Sequence, residues 1–68
     1  MIIMEENLRI LSIELMKRHL EPRVMMEIRN PLMDSQAQIR AMTIWLQNNR
    51  EATLEEIKKQ AKIIKEKY

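Results

Sequence analysis

Lys58, Lys59, Lys62, Lys65 and Lys67 crowd the end of this 68-residue chain. Five cations on one helix could hold a polyanion, above all a phosphate backbone. A second kind of chemistry would use Ser12, Ser35, Thr43 or Thr53 as a nucleophile and His19 as its base. That chemistry needs a nucleophile, a base and an orienting group that converge on one pocket. Ser35 and Thr53 instead stand where helix caps stand, and His19 sits among Lys17, Arg18 and Glu21 as a surface residue. The chain has no Gly, so a phosphate-cradling loop is excluded. With no Cys, neither disulfides nor a thiolate metal site can be built, and a lone His19 without a partner at helical spacing gives no expectation of a structural metal. The expectation is a non-enzymatic chain with no catalytic residues, no cofactor, no metal and no small-molecule substrate.

The polyanion reading turns on the stretch IRAMTIWLQNNREATLEEIKKQAKIIKEKY. It looks like the opening of many winged-helix or helix-turn-helix domains. In those, one helix crosses the DNA backbone and a following short polar helix enters the major groove. The sequence stops at Tyr68, where that recognition helix would follow. Taking the last segment itself as the reader puts Glu55 and Glu56 in the turn that would meet bases and phosphates. Carboxylates there would be repelled. The lysines read better as a solvated face that complements the helix dipole, and Lys59 pairs with Glu55 at i, i+4. Single-stranded binding would also call for stacking aromatics, and only Trp45 and Tyr68 are present. Lys58, Lys59, Lys62 and Lys65 therefore remain the contact residues of an alternative only, a small nucleic-acid-associated regulator.

Composition sets the fold class. Zero Gly removes the residue tight hairpins most need, while Ile, Leu, Met, Glu, Lys and Gln favour helix. At 46% hydrophobic and 32% charged, the chain is too apolar for disorder and too charged for a membrane. The apolar opening MIIM runs straight into Glu5 and Glu6, unlike a secretion leader, so a cytoplasmic setting is expected. A single domain over residues 1–68 is expected, too small to bury much core without tight packing or a partner.

Periodicity predicts an all-α bundle of four segments, three main helices and one of two turns. The first, over 4–20, carries Met4, Leu8, Leu11 and Leu15 on one face. Ile10, Ile13, Met16 and Leu20 form a second apolar face, and polar strips with Asn7, Glu14 and Arg18 or Glu5, Ser12 and His19 separate the two. Pro22 opens a short helix to Arg29 with Val24, Met25 and Ile28, and Asn30–Pro31 stops it. PLMDS, the longest break, is expected to be a flexible joint. Ser35 with Gln38 forms a capping box for a helix over 35–48 on Ile39, Met42, Trp45 and Leu46, with Trp45 as a core anchor first and an interface residue as the alternative. Thr53 with Glu56 does the same for 53–67, whose seam is Leu54, Ile57, Ala61, Ile64 and Tyr68.

A helix apolar on two sides needs either complete wrapping or a partner. Three of the seven Met residues, Met25, Met26 and Met33, cluster on the short helix and the loop after it, and Met suits adaptable binding surfaces. The expected partner surface is therefore Ile10, Ile13, Met16, Leu20, Met25, Met26 and Met33. Its partner is a protein, a second copy included, and nucleic acid and membrane are disfavoured. Ile63, alone on the charged side of the last helix, needs no role.

Overall fold

The computed structural model describes residues 3–68, with side chains from Glu6 onward. The side chains of Met4 and Glu5 lie outside the described residues, as does Met1. Four helices follow in order: α1 (Ile3–Met16), α2 (Pro22–Arg29), α3 (Gln36–Asn48) and α4 (Leu54–Lys67). The fold is the small all-α bundle that the periodicity predicts, with no strand among the described residues. None of these helices is long and apolar enough to cross a membrane.

The helix starts follow local chemistry. Thr53 forms the full capping box, its hydroxyl accepting from Glu56 N at 3.2 Å and its own N–H donating to Glu56 Oε1 at 2.8 Å. Ser35 forms half of one. Its hydroxyl accepts from Gln38 N, but the Gln38 amide turns away to donate to Lys65 O at 3.3 Å. Gln38 is thereby spent on holding α3 against the end of α4.

α1 stops at Met16, short of the expected Leu20. Lys17 N still donates to Ile13 O, but Arg18 N and His19 N tighten to bonds with Leu15 O and Met16 O. His19 then turns over into the left-handed region at φ 58°. Glycine usually takes such a position, and His is one of the few other residues enriched there. The Arg18 side chain donates to Glu14 O at 2.6 Å, a carbonyl the helix end would leave open. Leu20 leaves the helix and packs back on the core.

α3 is central, with α1 packed along one side and α4 along the other; α2 and the turn after it bridge α1 and α4. Leu11 and Leu15, Ile28, Leu32, Ile39, Met42 and Leu46, and Ile57, Ala61 and Ile64 bury the core. The expected flexible joint is a correction. Asn30–Leu32 forms a 3-10 turn, and Leu32 is completely buried, so the break is pinned by its own side chain. The α4 seam ends at Ile64, since Tyr68 is exposed. Ile57→Ala or Ile64→Ala should cost roughly 2–4 kcal/mol in urea unfolding, as large-to-small core changes do. Lys62→Ala should stay within about 0.5 kcal/mol. A worse loss from the Lys change would reverse the facing of α4.

Candidate interaction surface

The seven residues expected to meet a partner do not form one patch. Ile13 and Met16 are 43% and 59% exposed, and Met26 and Met33 are also exposed. Leu20 and Met25 pack on the core, and Ile10 lies half-buried in the groove between α1 and α3. Arg29 Nη1 donates to Ser12 Oγ at 3.2 Å across α1 and α2. Met16, one turn beyond Ser12, and Met26, one turn before Arg29, extend that same side of the pair. Met33 is elsewhere. It precedes Asp34, which meets Lys65 of α4 beside the start of α3, whereas the end of α1 meets the other end of α3 through Arg18 and Leu46. The length of α3, about 20 Å at 1.5 Å per residue, separates the two.

A second exposed apolar surface centres on Ile44, which is 53% exposed and outside the seam of α3. Ile44 is shared by two grooves. The first, about 190 Å³ between α1 and α3, is lined with Asn7, Ile10, Arg40, Thr43 and Gln47 as well. The second, about 340 Å³ between α3 and α4, is lined by Ala41, Trp45, Gln60, Ile63, Lys67 and Tyr68 among others. Ile63 and Tyr68 are 45% and 57% exposed, and Trp45 is half-buried between core and groove. Ile63, which by itself needs no role, is thus part of the wall of the α3–α4 groove. No periodic signal in the sequence marks Ile44, because Ile39, Met42, Trp45 and Leu46 already fill the α3 stripe.

Beneath the α1–α3 contact lies a buried ionic group. Glu14 is buried, with Lys17 Nζ and Arg18 Nη1 at 3.4 and 3.5 Å from its oxygens. Arg18 Nη2 also donates to Leu46 O at 2.6 Å, which ties the ends of α1 and α3 together. Burial pushes the Glu14 carboxyl up, but hydrogen bonds from Lys17, Arg18 and Gln47 and the Lys17 charge outweigh it, and the net direction is downward. The group is thus held ionised and structural. It was legible only as a polar strip, because nothing in the sequence says that this strip faces α3.

The hydroxyls are occupied locally: Ser12 donates to Leu8 O at 2.9 Å, Thr43 to Ile39 O at 2.8 Å, and Ser35 and Thr53 cap helices. His19 is exposed in its turn. Among the described residues no three His, Cys, Asp or Glu side chains converge as a metal site would need. The α4 lysines are exposed, but Lys58 faces Glu27 at 3.8 Å and Lys65 faces Asp34 at 3.9 Å. No family model, curated protein or solved structure matches this chain.

Proposed function

We propose that the chain is a non-enzymatic protein-interaction module that associates with itself or docks on a helical partner through its apolar helix faces. The observation that carries this reading is the amount of large apolar side chain left in water by so small a bundle: Ile13 and Met16 on α1, Met26 on α2, and Ile44, Ile63 and Tyr68 around the α3–α4 groove. Single exposed apolar residues are ordinary, but grouped ones mark contact surfaces. Each such side chain is about half exposed, so covering the rest of it gains roughly 0.7–1.5 kcal/mol, and a group of three is still a substantial driving force.

For self-association the Ile13–Met16–Met26 side is the natural seam, since a two-fold pairing brings the same patch from each copy together. Sedimentation equilibrium at micromolar concentration should give a mass above that of one chain, and Ile13→Glu should return the monomer with its helix content intact. A strictly monomeric mass for the unmodified chain removes the self-association form. Unfolding of Ile13→Glu would mean that this face is internal core.

A further inference from the structure

The two grooves that meet at Ile44 share a charge pattern that the grooves lined by Glu51 and Glu56 or by Glu27 and Glu66 lack. Their charged lining side chains are Arg40 in one and Lys67 in the other; no Asp or Glu side chain lines either among the described residues. Neither cation is in an ion pair among the described residues, whereas Lys58 and Lys65 on the opposite side of α4 each face an acid. The Asn7 amide nitrogen in the α1–α3 groove is buried and has no acceptor. An apolar strip along Ile10, Ile44, Ile63 and Tyr68 is therefore bordered by positive charge. A second copy would bring Arg40 and Lys67 against their own kind, which is unfavourable.

The geometry points to an amphipathic helix of another chain as the occupant, with acidic side chains flanking its apolar stripe. This deepens the interaction reading and rests on it. Every described element is a helix, so no sheet edge is offered for strand addition, and helix-in-groove docking is the remaining regular mode. The visiting stripe, at i, i+3, i+4 and i+7, lies over Ile44 between the α1 and α4 walls. Its carboxylates reach Arg40 on one side and Lys67 on the other. The largest extent of the bundle is 32 Å, room for a helix of about three turns, roughly 16 Å long.

The test is selection from a displayed library of helical peptides with that apolar stripe fixed and the flanking positions random, using the full chain as bait. Enriched peptides should carry Asp or Glu at the flanks. Ile44→Glu should weaken them at least about thirtyfold, as loss of an interface anchor does. Arg40→Glu combined with Lys67→Glu should weaken them about tenfold and turn the flank preference basic. Circular dichroism of the exposed-site variants should match the parent. Enrichment of neutral or basic flanks, binding indifferent to Ile44→Glu, or no enrichment at all would overturn the inference. If no peptide is enriched but the chain sediments as a dimer, the interaction reading stands without this partner. A monomer that enriches nothing loses both.

Discussion

Arg18→Met should destabilise the fold by roughly 3 kcal/mol, the lower end of what is lost when one partner of a buried ion pair is removed. The lower end applies because the half-exposed Lys17 still reaches Glu14 at 3.4 Å. A domain of this size holds roughly 3–10 kcal/mol in all, so the variant should melt roughly 12–24 °C lower. The loss has two sources: a buried carboxylate short of a cation, and Leu46 O without the donor that joins α3 to α1. Replacing Glu14 by Leu in the same chain should recover most of the loss, since an apolar pair of matched volume is often as stable as the ions it replaces. Acid should act in the same sense. Glu14 has a folded pKa below its ordinary value of 4.5, so its contribution is full above about pH 4.5 and is lost as pH falls through the lower folded value. In Arg18→Met that acid-dependent loss should shrink. Equal melting of Arg18→Met and the parent would show that Glu14 is not held as described.

Leu32→Ala should cost roughly 2–5 kcal/mol, the range for deleting a fully enclosed Leu side chain. Met33→Ala, the exposed neighbour, should cost about 0.5 kcal/mol or less. The contrast between adjacent residues separates a pinned 3-10 turn from a loose joint, since a loose joint would give two small values. Urea unfolding with helix content as the signal reads both, and a Leu32→Ala loss below about 1 kcal/mol would restore the flexible-joint expectation.

What the sequence made legible was whatever local chemistry decides. Pro22 starts α2, Thr53 with Glu56 starts α4, and the apolar spacing of Ile57, Ala61 and Ile64 finds the core, each within a few residues of chain. The end of α1 was not legible in this way. Apolar spacing runs on to Leu20, and without Gly only His19 marks the turn. Ser35 was read as a box with Gln38 because its spacing is right, but tertiary packing claimed the Gln38 amide for Lys65. The Ile44 surface was missed for a related reason. Ile39, Met42, Trp45 and Leu46 already supply a complete stripe, so an extra Ile carries no periodic signal. Only the placement of α1 and α4 on either side of α3 joins Ile44 to Ile10, Ile63 and Tyr68.

On the interaction reading, the apolar faces left in water bind protein and do not hold the fold. Ile13→Glu and Ile44→Glu test it together, each measured for melting temperature and for association by sedimentation and by peptide binding. Both residues are about half exposed, so each variant should melt within a few degrees of the parent. One or both should abolish an association that the parent shows. Association unchanged in both variants, or two variants that unfold, would contradict it.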